Sequence, residues 1–281
     1  MRSWLRLAAL VMAVGSLPAR ADDGEALRAG YLPHRAVYDL VLIPGRDPDK
    51  SPVQAGRARM LYEFRGNQCE GWSTTTRLLT ELTPQEGNPQ ISDIRSSTFE
   101  NPLTKEFRFL TSSTVDGALR EEADGTAIQD KAGQLKIALK KPSKRDVSPG
   151  PDIVYPTQHL TLLLIAAKSA QTVVEADLFD GSENGDKIYS TTAIIGRGRV
   201  TPLPDGDAGA IPELRGKPRW PFTVSFFDRA AKGGGEQTPL YDLAVEIYEN
   251  GITQSMTLNY SSFSMKGKLA KLELLPITPC K

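Results

Sequence analysis

Acid–base chemistry near neutral pH favours histidine, and this chain of 281 residues holds two: His34 in LPHRAVY and His159 in YPTQHL. Each stands alone. No His-x-x-x-His or Glu-x-x-His pair sets two metal ligands on one helix face. The Gly-x-Ser-x-Gly elbow, the phosphate-binding P-loop and the Gly-x-Gly-x-x-Gly turn are also missing. A Ser-His-Asp site would have to use His34 or His159 without any local signature. Both read more simply as hydrogen-bonded structural histidines, His159 at a helix start and His34 just before a strand. Carboxylates are plentiful, and a glycoside hydrolase needs two of them about 5–10 Å apart. A cell-wall glycan hydrolase using paired carboxylates or His159 is therefore the alternative reading. The leading expectation is a non-enzymatic protein with no catalytic residue, metal or cofactor.

Two further groups invite chemistry. In DGSENGDKIYST, Asp180, Ser182, Asn184 and Asp186 alternate like the oxygen ligands of a calcium loop. The twelfth position is Thr191 where that loop requires Glu, so the stretch reads as a polar hairpin loop. Among the aromatics, Phe222, Phe226 and Phe227 read as core, while Trp220 and Tyr248 are candidates to line a groove.

The elements that must position these residues are mostly strands. Short β-branched and aromatic runs alternate with Gly, Pro, Asn and Asp clusters, from AVYDLVLI near the start to KGKLAKLELL near the end. About a dozen strands follow, with up to two more around residues 117–130. The best-specified hairpin is Tyr241–Tyr260, folded about Asn250-Gly251 as a type I′ turn. It pairs Tyr241 with Tyr260, Val245 with Met256, Ile247 with Gln254 and Tyr248 with Thr253, giving one apolar and one polar face. A second hairpin runs from Thr172–Phe179 to Lys187–Ile195. In PTQHLTLLLIAAKSA, Leu160, Leu163, Leu164 and Ala167 form a helical stripe, with Thr157 as N-cap. Residues 200–218 and 231–239 are surface loops by composition. The reading is all-β and mainly antiparallel, with one amphipathic helix, as a single domain over residues 22–281.

Residues 1–21, MRSWLRLAALVMAVGSLPARA, have the parts of a secretory signal peptide: Arg2 and Arg6, an apolar core, and Ala19-Arg20-Ala21 as a cleavage site. The core is too short to span a bilayer comfortably, and no later stretch supplies a transmembrane helix. The expectation is an exported, soluble periplasmic monomer cleaved near Ala21. The whole chain balances 34 basic against 34 acidic residues; removing the leader leaves 31 against 34, which provides no basic footprint for nucleic acid. Alternating strands behind a leader also fit an outer-membrane barrel, although the amphipathic helix, the polar loops and the Pro279-Cys280-Lys281 end argue against one. In an oxidising compartment the two cysteines, Cys69 and Cys280, most simply form one disulfide, with two free thiols as the alternative.

The words LPHRAVYDL, YEFRGNQCEGW, SDIRSSTFE, FRF, YPTQHL, DGSENGDKIY, WPFTVSFFD, GEQTPLY and YENG, in that order over about residues 30–275, resemble the EipB family of periplasmic cell-envelope integrity proteins. The resemblance implies a long antiparallel sheet coiled into a spiral or incomplete β-barrel. It also implies a Cys69–Cys280 disulfide and a role in maintaining the envelope under stress, with no established enzymatic activity. The expected partner is an envelope protein, peptide or lipid. The loop around Pro202–Pro218 matches poorly.

Overall fold

Period-two alternation of buried and exposed side chains runs through most of residues 34–274 and builds one continuous sheet. The computed structural model describes residues 21–43, 51–231 and 237–280, so the proposed leader in residues 1–20 lies outside the described residues. Eight strands come first: β1 (His34–Ile43), β2 (Val53–Asn67), β3 (Gly71–Pro84), β4 (Gln90–Asn101), β5 (Glu106–Val115), β6 (Ala118–Gln129), β7 (Gln134–Lys141) and β8 (Arg145–Pro151). Then come β9 (Ile153–Val154), helix α2 (Pro156–Lys168), β10 (Val173–Leu178), β11 (Tyr189–Ile195), β12 (Arg219–Asp228), β13 (Tyr241–Tyr248), β14 (Thr253–Tyr260) and β15 (Ser264–Leu274). A second helix, α1 (Ala21–Ala29), precedes them all and was not legible from periodicity. Nor were β8 and β9, and residues 117–130 supply one strand, β6, instead of two.

The sheet order runs β8 to β1, then β15 down to β9. Its two edges, β8 and β9, are therefore consecutive in sequence and separated only by Asp152, so the sheet curls until its edges meet. The result is the expected all-β, barrel-like spiral. Pro149 and Pro151 in β8 cannot donate to a ladder, which keeps that edge from pairing. Side chains stitch the seam instead: Arg145 pairs with Asp186 at 2.7 Å, Arg229 donates to the Pro149 carbonyl at 3.4 Å, and Gln129 donates to the Ile153 carbonyl.

The β10–β11 hairpin has its expected antiparallel pairing, with Val173 opposite Ile194 and Leu178 opposite Tyr189. In the β13–β14 hairpin the expected register holds from Tyr241–Tyr260 to Glu246–Ser255, then slips by one so that Ile247 faces Thr253. The reason lies in the turn. Only Gly251 takes positive φ, at +85°, so the pair is not type I′. The Asn250 carboxamide oxygen accepts the Ile252 N–H, and the Asn250 carbonyl accepts the Leu32 N–H. The slipped residue, Gln254, is buried and donates to Asp207 at 3.0 Å, across the long β11–β12 connection.

Inside the barrel, α2 buries Leu163, Leu164, Ala166 and Ala167 against Ala193, Ile195, Phe222 and Val224 of the sheet and Leu27 of α1. Its N-cap is Tyr155, not Thr157. The Glu100 carboxylate of β4 accepts the N–H groups of Thr157 (2.7 Å) and Gln158 (3.1 Å), while the Gln158 side chain accepts the Tyr155 N–H. A carboxylate from a distant strand has taken the capping role that a local hydroxyl was expected to fill.

Outside, the faces of β15 and β1–β4 carry a lattice of ion pairs. Arg57 meets Glu81 at 2.7 Å, Arg59 meets Asp39 at 2.7 Å, and Arg77 and Arg95 share Asp93 at 2.9 and 2.8 Å. Arg35 bridges Glu63 and Glu273 at 2.6 and 3.2 Å, and Arg65 also contacts Glu63. An outer-membrane barrel needs an apolar band on this face, so the outer-membrane reading fails here. No described helix is long and apolar enough to cross a membrane.

Cys69 and Cys280 are joined in a disulfide, with Cα atoms 5.6 Å apart and a sequence separation of 211. Asn67 organises the junction. Its side-chain oxygen accepts the N–H groups of Cys69 and Glu70, and its amide donates to the Thr278 carbonyl at 3.1 Å. Because β15 is already laddered to β1 along its whole length, the bond fastens the tail across β1 to the β2–β3 turn. It lies mid-sheet and does not close the β8–β9 seam.

Candidate functional site

Register fixes which side chains of β3, β4 and β5 share the inner face. The first row is Trp72, Glu100 and Phe107; next come Thr74, Thr98 and Phe109; then Thr76, Ser96 and Thr111; then Leu78, Ile94 and Ser113. A packed barrel interior is filled with branched apolar side chains. Here the first row is filled and buried, but Thr74 and Thr98 stand beside Phe109 in the second, the third is hydroxyl throughout, and Ser113 completes the fourth beside Leu78 and Ile94. Small side chains on the inner face leave a cleft of about 520 Å³. Its facing wall is apolar, built from Pro156 and Leu160 of α2, Leu178, Phe226 and Tyr241, with Tyr62 and Phe64 also lining it. The cleft therefore has one hydroxyl wall and one apolar-aromatic wall.

The β10–β11 loop closes part of the barrel. Gly181 has φ +72°, and a Cβ there would stand 2.4 Å from the Phe109 ring; at Gly185 it would stand 2.7 Å from Leu139. Two glycines thus let the loop press against β5 and β7. The loop brings Asp180 and Glu183 to the cleft, with Glu121 also among its lining. Asp180 accepts the Ser182 N–H, and burial pushes its carboxyl above the ordinary range. Glu183 accepts the Tyr189 hydroxyl at 2.9 Å and lies 3.6 Å from Lys187. Asp186 pairs with Arg145, so the alternating oxygens of this loop face different partners. Among the described residues no group of three or more His, Cys, Asp or Glu could hold a metal ion.

The candidate acid–base groups are tied to structure. His159 is buried on α2, and its Nε2 lies 3.0 Å from the Thr191 hydroxyl. That hydroxyl donates to the Ala176 carbonyl, so Nε2 carries the proton and donates. Desolvation lowers the His159 pKa to about 4. His34 is buried against the rings of Tyr62 and Phe64, donates from Nδ1 to the Leu32 carbonyl at 2.7 Å, and is likewise lowered by burial. Glu100 is raised to about 7, chiefly by burial, against the pull of its two helix N–H partners.

Neither expected groove residue lines the cleft. Trp220 sits opposite Ile247 and packs in the core, close against Gly198. Tyr248 does face outward, where Arg219 lies over its ring at 5.5 Å, but the β11–β12 connection covers it with Ile211 and Leu214. It is 1% exposed. The loop read as surface by composition is thus partly core. The hydroxyl wall went unread because GWSTTTRLL and SDIRSSTFE place Thr and Ser on both faces; the readable signal was their lack of apolar alternation.

Comparison with known proteins agrees with this architecture. Residues 26–276 match the EipB-like family. The cell envelope integrity protein EipB of Brucella abortus (strain 2308) is 34% identical over 255 residues, covering 90% of this chain and 87% of that protein. The crystal structure of a β-barrel-like protein of a domain of unknown function, also from Brucella abortus, aligns with a TM-score of 0.77 at 33% identity, over 88% of this chain and 99% of that one. By this extent of match and by its coiled antiparallel sheet, the chain belongs to the EipB-like family.

Proposed function

We propose that this protein is exported to the periplasm and maintains envelope integrity without catalysis, by holding a segment of an envelope protein, a peptide or a lipid in the barrel cleft. The observation that carries the reading is the two-sided cleft, whose hydroxyls face an apolar wall across a space unfilled by the protein's own side chains. Such a surface suits an amphipathic chain: hydroxyls satisfy its polar groups while Leu160, Leu178, Phe226 and Tyr241 bury its apolar ones. The name of the Brucella relative supports the envelope role. The buried, Thr191-bound His159 weighs against the glycan-hydrolase alternative in its histidine form, while Asp180, Glu183 and Glu121 in the cleft leave its paired-carboxylate form to the test below. The test is a deletion strain complemented with wild type or with Ser96→Trp, which puts an indole into the cleft. Wild type should restore resistance to detergent and cell-wall antibiotics, and the folded Ser96→Trp variant should not. Full rescue by Ser96→Trp would remove the cleft from the function, and release of reducing sugar from purified cell wall would favour the hydrolase.

A further inference from the structure

We infer that the outer face of β15 and β1–β4 docks on an anionic lipid surface. Successive residues of a strand alternate between faces, so this face can be read directly from the register. On it the six arginines of the ion-pair lattice stand with Lys266, Lys268 and Lys271, making nine cations against five acids: Asp39, Glu63, Glu81, Asp93 and Glu273. The whole chain balances 34 against 34, so positive charge is concentrated here. The acids are already engaged by arginine, two of them by two arginines each. The three lysines of β15 are exposed and have no ion pair among the described residues.

Aliphatic side chains stand between the charges. Val41 is 58% exposed, Leu61 42%, Leu79 40% and Ile91 49%. One row across the sheet reads Lys271, Val37, Leu61, Arg77, Arg95. The solvent face of an antiparallel sheet ordinarily carries polar residues at such positions. Cations interleaved with aliphatics match a lipid headgroup layer, where ammonium and guanidinium groups meet phosphates and apolar side chains and stems reach the acyl boundary. A protein partner would call for a central apolar cluster ringed by polar residues. Here, apart from the Val37–Leu61 pair, the aliphatics stand singly among the charges with no central cluster, which favours the bilayer.

The experiment is vesicle co-sedimentation of the purified protein at low ionic strength. The probes are vesicles of phosphatidylcholine alone and with about one-third phosphatidylglycerol. The protein should bind the anionic vesicles, leave the neutral ones, and be released by salt. Lys266→Glu/Lys268→Glu/Lys271→Glu should weaken binding roughly a hundredfold. Lys105→Glu/Lys131→Glu/Lys144→Glu, with the same change in net charge elsewhere, should leave it near wild type. Leu61→Ser/Leu79→Ser should weaken binding while leaving its salt dependence. The inference is overturned by equal binding to neutral vesicles, by equal losses in the two lysine triples, or by binding to soluble polyphosphate with none to vesicles.

Discussion

Glu100 and His159 are both buried beside α2, and burial disfavours the charged form of each, with opposite consequences for stability. Glu100 moves from its usual 4.5 up to about 7, and His159 from its usual 6.5 down to about 4. For Glu100 the unfolded chain ionises more readily. Its contribution is therefore full below pH 4.5 and is lost as pH rises through 7. For His159 the unfolded chain takes up a proton more readily. Its contribution is full above pH 6.5 and is lost as pH falls through 4. Each displacement corresponds to roughly 3 kcal/mol, so between pH 4.5 and 6.5 the two slopes nearly cancel. Asp180, raised by burial, shares the sign of Glu100; His34, lowered by burial, shares that of His159. Wild type should thus melt at nearly constant temperature across this window, and the single variants should reveal the hidden slopes. Glu100→Gln should lose roughly 5–10 °C on acidification from pH 6.5 to 4.5, and His159→Gln should lose a similar amount in the opposite direction. Thermal melts at constant ionic strength measure this. Variant curves running parallel to wild type would refute the reasoning.

The disulfide closes a loop spanning 211 positions, for which chain entropy gives an upper bound of about 5 kcal/mol. Cys69→Ser, Cys280→Ser and the double variant should therefore melt at the same temperature as one another, lower than wild type by up to roughly 20 °C. Equal melting of wild type with and without reductant would contradict this. Asn67→Ala removes the acceptor for two N–H groups and the tie to Thr278, costing about 1–3 kcal/mol. Part of that cost should vanish in a Cys280→Ser background, because the tail contact is then already weakened; strict additivity in urea titrations would disprove the coupling. Gly181→Ala combines a left-handed backbone with a Cβ placed 2.4 Å from Phe109. It should cost about 2–4 kcal/mol, and a melting point within a degree of wild type would show that the loop yields freely.

What could be read from the sequence was local, and what could not was made by contacts between distant segments. The strand periodicity fixed the β13–β14 pairing as far as Glu246, because alternating apolar residues specify register without outside help. The slip beyond it came from Gln254 reaching Asp207 and Asn250 reaching Leu32, partners that no hairpin rule contains. Thr157 was a sound local cap, yet Glu100, fifty-seven positions upstream, presents two oxygens to the same N–H groups. Tyr248 was correctly placed on the outward face, but solvent exposure also depends on what covers a face. The Pro-rich connection that looked like loop carries Ile211 and Leu214 to it. The cleft was hidden for a related reason. Thr74-Thr75-Thr76 offers the same side chain to both faces, so its alternation carries no sign. Only when β3, β4 and β5 are set side by side do Thr76, Ser96 and Thr111 become one inward row. Where a strand's own pattern distinguishes inside from outside, sequence locates its residues. Where it does not, the interior is decided by neighbouring strands, and in this fold that undecided stretch is the wall of the cleft.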